Sequence, residues 1–232
     1  MKDYKPNADE IRTTINTLTE PEDIVEFRFF GVSDDPQQQQ QGKTYGGWIV
    51  VRDIDKYLPK ITALASISRG VSFSPQVLSS SVATRQPLGT FSARQGVELT
   101  GKKDIVRYRW LIIDIDPVRA KGHEGEMATY QERKAAAGLY EKLMDTIQDE
   151  PVLVVSSGSG FHLYYEMPAE TTVIEAEAML IVFAQKFNDD AAKIDCMSMN
   201  LPVLRLPGTW AKKGEDTEER PWRIARIMNA VE

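Results

Sequence analysis

Seven residues, Trp110-Leu-Ile-Ile-Asp114-Ile-Asp116, restrict the fold of this chain more than any others. An apolar run with acids at alternate positions near its end reads as a buried strand, because side chains two residues apart share one face of the pleat. Asp114 and Asp116 then point the same way, while Leu111, Ile113 and Ile115 point into the core. Two acids held so close repel each other, and a bound divalent cation relieves the repulsion. Hard carboxylate oxygens favour Mg2+ or Mn2+. Two such ions roughly 3.5 to 4 Å apart stabilise both the attacking and the leaving oxygen of a phosphoryl transfer. The bland alternative is a strand that ends in a solvated acidic turn.

The segments around that strand predict an α+β chain. Asn7 precedes a helical pattern in which Ile11, Ile15 and Leu18 share a face, and Pro21 ends it. Strands are expected over 24–30, 48–51 and 71–73, with a helix over 53–65, so that residues 1–104 form an N-terminal α/β half. The glutamine run 37–41 reads as a mobile hairpin tip rather than a site. Residues 79–103 lack periodicity and read as a long loop, a class that tends to be functional or disordered. From 105 to 232 the expected elements are a strand over 108–116, a helix over 126–149, a hairpin of strands over 151–156 and 161–166, and a helix capped by Thr172 and Glu175. A last strand is expected over 203–206. That order is β-α-β-β-α-β, as in ferredoxin-like and RNA-recognition-motif folds, and residues 222–228 add one more strand.

Two further clusters carry chemistry. Val-Val-Ser-Ser157-Gly-Ser159-Gly160-Phe-His162-Leu-Tyr164-Tyr165 sets two glycines and two serines in a turn able to form an anion-binding concavity, with His162 just beyond it. The Gly-x-x-x-x-Gly-Lys phosphate loop is missing. Ile194-Asp195-Cys196 supplies a third acid to complete a metal cage, and Arg205-Leu-Pro207-Gly208-Thr-Trp210-Ala-Lys212-Lys213 supplies the positive charge that phosphates need. Each cluster alone is also a common surface or structural feature.

Composition sets limits on these readings. With one cysteine, Cys196, the chain builds neither a disulfide framework nor a zinc ribbon, so zinc is not the expected metal and a reducing cytoplasm is the natural setting. The N-terminus lacks the apolar centre of a signal peptide, and no apolar run reaches the ~18 residues of a membrane span. The net charge of -6 argues against a dedicated nucleic-acid binder, so any such partner must be held locally. Basic residues gather at Arg85, Arg94, Lys102, Lys103, Arg107 and Arg109, and again at Arg205, Lys212 and Lys213, where the alternative is a solvated surface.

Together the Asp-Ile-Asp strand, the Ser-Gly-Ser-Gly-Phe-His hairpin and the late Asp followed by Arg-Leu-Pro-Gly-Thr-Trp and lysines resemble the three motifs of the archaeo-eukaryotic primase (AEP) superfamily. The resemblance is greatest to primase-polymerases (PrimPol) of phages and plasmids and spans about residues 105–214. Gly70-Val-Ser-Phe-Ser-Pro is more weakly similar to the strand that precedes the first motif. The resemblance implies an RNA-recognition-like (RRM-like) catalytic half packed on the N-terminal half as one catalytic domain, with template and nucleotide in the cleft between them. It implies Asp114, Asp116 and Asp195 as catalytic ligands of two Mg2+ or Mn2+ ions. His162, Arg205 and Lys212 or Lys213 would hold the triphosphate, with Ser157 and Ser159 as substitutes for the serine that often stands where this chain has Gly160. Its implied partners are single-stranded DNA, an NTP or dNTP, and a helical primase extension or helicase in the same or another chain. The activity so implied is a template-directed nucleotidyltransferase, a DNA primase or polymerase. Competing readings are a non-catalytic nucleic-acid-binding replication module of the same fold, and a metal-dependent nuclease or phosphatase. A haloacid-dehalogenase-type phosphatase also begins with Asp-x-Asp, but Thr or Val-Gly usually follows there and Pro117 follows here.

Overall fold

The computed structural model describes residues 4–35, 38–93 and 96–229. The chain runs first through α1 (Ala8–Leu18), β1 (Ile24–Val32), β2 (Lys43–Val50), α2 (Ile54–Ser66) and β3 (Gly70–Phe73). Three short strands follow, β4 (Val77–Leu78), β5 (Ser92–Ala93) and β6 (Ile105–Arg107). Next come β7 (Trp110–Pro117), α3 (Tyr130–Met144), β8 (Leu153–Ser156), β9 (Phe161–Glu166), α4 (Val173–Phe187) and β10 (Ala192–Ile194). Four more strands come after them: β11 (Leu204–Arg205), β12 (Trp210–Ala211), β13 (Arg223–Ile224) and β14 (Arg226–Asn229). The fold is α+β, and the strand pairs of both larger sheets are antiparallel.

The helices form where caps and apolar spacing agree. The Asn7 side chain accepts the N–H groups of Asp9 and Glu10, and Ile11, Ile15 and Leu18 of α1 are fully buried. A cap contributes about 1 kcal/mol and each buried aliphatic about 2, so packing rather than capping holds this helix. α3 starts at Tyr130, later than the expected 126, because Thr129 and Glu132 form a reciprocal capping box. Thr172 and Glu175 cap α4 in the same way, as expected.

The strands make two five-stranded sheets, in the orders β11-β3-β1-β2-β5 and β10-β7-β9-β8-β14. The β-α-β-β-α-β element order is present, but its last strand is β10 and not the segment expected over 203–206. Ile194 of β10 pairs with Ile115 of β7, whereas Leu204 and Arg205 cross over to pair with Phe73 and Ser72 of β3. A short apolar run carries no signal for which sheet it joins; only the long-range pairing decides. β14 extends the second sheet beside β8, but the single strand expected over 222–228 is divided at Ala225: Arg223 and Ile224 form β13, which pairs with β12 instead. One apolar core runs through both sheets and includes Phe27, Phe73 and Leu206 together with Ile113, Leu139 and Leu163.

Two segments expected to be loose are pinned. Val82 and Leu99, from the stretch 79–103, pack with Trp48 and Leu78 in a second cluster, and the Trp48 indole donates to Thr100 Oγ1 at 3.0 Å. The glutamine run is not a mobile tip: Gln39 is buried and accepts from Lys212 Nζ at 3.1 Å. Gln40 donates to the carbonyls of Lys212 and Gly214. Polar side chains order this loop because they satisfy backbone and ammonium groups that would otherwise be buried unpaired. Gln37 and Arg94 lie outside the described residues. No helix among the described residues is long and apolar enough to cross a membrane.

Candidate active site

Strand register assembles the acid end of the site. His162 of β9 pairs directly with Asp114 of β7, so both side chains leave the same face, and His162 Nε2 lies 3.5 Å from Asp114 Oδ1. On the other side of β7, the Asp195 N–H donates to the Asp114 carbonyl at 2.8 Å, which sets Asp195 beside Asp114. His162, Asp114 and Asp195 thus form a row across β9, β7 and the end of β10.

A cavity of about 160 Å³ opens over this row, lined on one wall by Asp114, Asp116, Ser157, Ser159 and His162. The opposite wall comes from the first sheet and the segment after it: Ser72 of β3, Arg205 of β11, and Lys213. Arg205 reaches this place only because β11 joins the first sheet, opposite Ser72. Its guanidinium lies across Gly70, where a Cβ would stand 2.0 Å from Nη1, and it donates to the Val71 carbonyl. Gly160 permits a second close approach: a Cβ there would stand 1.9 Å from the Ile115 carbonyl oxygen. That contact is the reason serine does not fit at this position.

The electrostatics are lopsided in a way that fits a cation. Burial, then Asp116, then Asp195 hold the Asp114 carboxyl well above the ordinary range, and Lys213 and Arg119 offset only part of this. Burial and crowding therefore disfavour the ionised form of Asp114, a penalty that a bound cation would relieve, and the site's donors are hard carboxylate oxygens. Among the described residues no group of three His, Cys, Asp or Glu side chains gathers in a metal-holding arrangement. Magnesium is commonly held by one or two carboxylates with water and substrate phosphates supplying the rest, so the Asp114 and Asp116 pair fits such an ion.

The cationic wall has the opposite imbalance. Burial and the neighbouring Arg69 bring the Arg205 guanidinium down to about 10. Burial, then Arg205, lower Lys213, although Asp116 and Asp114 pull it back up. Burial also pushes the His162 imidazole down to about 4, with Asp116 opposing and Arg205 and Lys213 reinforcing. His162 is accordingly neutral at pH 7, and its buried Nδ1 has no partner. The hydroxyls of Ser157 and Ser159 accept from the N–H groups of Gly160 and Ala128, which leaves their own O–H groups free to donate.

Some expected residues stand elsewhere. Asp195 does not line the cavity; its carboxylate accepts from the Met197 N–H. Lys212 points away from the cavity, 1% exposed, with Nζ donating to Gln39 and to the Ser66 carbonyl and lying 4.8 Å over the Tyr4 ring. Several of the basic residues before β7 are occupied in ion pairs: Arg85 with Asp104, Arg109 with Asp23, Lys102 with Glu177 and Lys103 with Glu98. Sequence reasoning missed Arg119, whose Nη2 is 3.9 Å from Asp116 and whose Nε and Nη2 are buried without hydrogen bonds. Its spacing, three residues after Asp116, was the available signal. It also missed Ser72, although Ser72 lies within the Gly70-Val-Ser-Phe segment.

The fold and cavity define an α+β protein whose two antiparallel sheets bring paired carboxylates to face unpaired cations. No protein-family model matches the chain, and no curated protein matches it. A search of solved structures aligns it with the crystal structure of primase RepB′, at a TM-score of 0.49 and 12% sequence identity. The alignment covers 95% of this chain and 56% of that one, so the chain spans little more than half its length.

Proposed function

We propose that this protein is a template-directed nucleotidyltransferase of the primase-polymerase kind, joining NTPs or dNTPs on single-stranded DNA. The observation that carries the proposal is the shared cavity, in which Asp114 and Asp116 face Arg205 and Lys213 across the cleft. Its support in the sequence is the motif order that resembles the archaeo-eukaryotic primase superfamily, with the β-α-β-β-α-β half as the RRM-like catalytic half. Divalent Mg2+ or Mn2+ ions at the acids would neutralise phosphate charge and lower the pKa of the attacking 3′-hydroxyl. Asp114 and Asp116 bind at that end, and Asp195 adds negative charge beside Asp114. Arg205 and Lys213 draw the triphosphate to the opposite wall, neutral His162 donates a hydrogen bond to it, and Ser157 and Ser159 orient its oxygens. In this assignment Lys213, not Lys212, is the phosphate lysine.

The test is a gel assay with single-stranded DNA, labelled NTPs and dNTPs, and Mg2+ or Mn2+, with and without a primer. Extension that vanishes in Asp114→Ala/Asp116→Ala while the fold persists is the expected result. Undiminished synthesis by that variant, or release of oligonucleotides instead of pyrophosphate by the wild type, would overturn the assignment.

A further inference from the structure

A second concavity adjoins the candidate active site and shares one wall with it. Along 156–159 the side chains alternate, as a strand and turn require: Ser157 and Ser159 line the catalytic cavity, whereas Ser156 and Gly158 line a separate groove of about 390 Å³. β12 divides in the same way, with Ala211 on the cavity and Trp210 on the groove. The rest of the groove includes Trp222, Arg223, Arg226 and, from α3, Arg133.

Its chemistry is unlike that of the molecule as a whole. The chain carries a net charge of -6, yet among the described residues three arginines and no acid line this groove. Neither Arg133 nor Arg226 makes an ion pair among the described residues. Arg223 donates to the carbonyls of Ala128 and Gly158. Trp48 and Trp110 are buried in the core, whereas Trp210 and Trp222 are partly buried. Both groove indoles are held in orientation: Trp210 Nε1 donates to the Lys5 carbonyl at 3.2 Å and Trp222 Nε1 to the Gly214 carbonyl at 3.1 Å. Tyr4 packs against both, its ring 5.0 Å from Trp210 and 5.5 Å from Trp222. Fixed aromatic faces interleaved with unpaired arginines are what a single-stranded polynucleotide requires, since bases stack on the rings while phosphates meet the cations. A duplex hides its base faces and a folded acidic protein has none.

We infer that the Trp210, Trp222, Arg133, Arg223 and Arg226 groove binds single-stranded nucleic acid and leads it past the 156–160 turn to the catalytic cavity. This deepens the proposed function and rests on it for the identity of the strand as template. Arg133 makes no side-chain hydrogen bond or ion pair among the described residues, whereas the charge of Arg226 favours the ionised Glu10 carboxylate, so both are changed to a neutral side chain and not to an acid.

The experiment measures binding of labelled oligothymidylate and oligouridylate to the full chain by anisotropy and tryptophan quenching, across a salt series. Duplex DNA and inorganic polyphosphate serve as competitors. Wild type should bind the single strands with quenching, and the two oligonucleotides identify which sugar is preferred. Arg133→Gln/Arg226→Gln should weaken binding by about tenfold or more and flatten the log–log salt slope by about 1.4, with a nearly unchanged thermal midpoint. Trp222→Leu should remove much of the quenching and weaken binding severalfold. Wild-type affinity in the arginine variant, or equal displacement by polyphosphate, would overturn the groove. Failure of the catalytic reading looks different: single strands still bind at the groove, but no nucleotide is transferred by the wild type.

Discussion

Replacing Gly160 by alanine tests the link between strand packing and the acid pair. The added Cβ would lie 1.9 Å from the Ile115 carbonyl oxygen and 3.3 Å from Asp116 Cα, where about 3.0 Å is the least that real contacts show. The neighbouring atoms are backbone, so no side-chain rotation relieves the clash. β7 and β9 must separate locally by about 1 Å, between the residues that carry Asp114, Asp116 and His162. Overpacking of this kind costs about 1–3 kcal/mol, and for a chain of 232 residues each kcal/mol lowers the melting temperature by about 2–4 °C. A fall of roughly 2–12 °C is expected by circular dichroism. A 1 Å misplacement of reacting groups costs about a hundredfold in rate, so nucleotide transfer should drop more than stability alone explains. Gly138 is the internal control: it lies inside α3 with open space where a Cβ would go, so Gly138→Ala should stabilise by about 0.5–1 kcal/mol. If Gly160→Ala melts with the wild type and keeps its activity, the close approach of β9 to β7 does not constrain the site.

The two adjacent lysines should separate cleanly. Lys212→Met loses the bonds to Gln39 and Ser66 and should cost about 1–3 kcal/mol in urea unfolding, whereas Lys213→Met should leave the midpoint nearly unchanged and weaken labelled-nucleotide binding. Equal effects of the two on nucleotide binding would refute the assignment. Arg85→Gln, which leaves buried Asp104 without its partner, should cost about 3 kcal/mol at pH 7. The Arg85 guanidinium holds the Asp104 carboxyl below its ordinary range. This stabilisation is therefore complete above about pH 3.9 and lost as pH falls through the lower native value. Urea midpoints of wild type and variant should converge on acidification, and a gap that persists below that range would contradict the pairing. Gly70→Ala should push the Arg205 guanidinium off β3 and weaken nucleotide binding, read by fluorescence titration.

Local signals carried far in this sequence because they are local in physics. The apolar run ending in Asp114 and Asp116 specified a buried strand with both acids on one face, and the Thr172-x-x-Glu175 box specified where α4 begins, whereas α3, expected from 126, begins only after the Thr129 cap. The Ser-Gly-Ser-Gly turn specified a hairpin, which places His162 on the strand beside the acids. What needed the tertiary structure was every choice between equivalent long-range partners. The run over 203–206 pairs as well with one sheet as with another until β10 occupies the edge next to β7; β11 then joins β3, and Arg205 faces Asp114 across the cleft. Lys212 and Lys213 read alike in sequence, but in the segment that follows β12 one turns into the core beside Gln39 and Tyr4 and the other lines the cavity. The glutamine run likewise looked solvated because its partners, the carbonyls of Lys212 and Gly214, lie more than a hundred and seventy residues away.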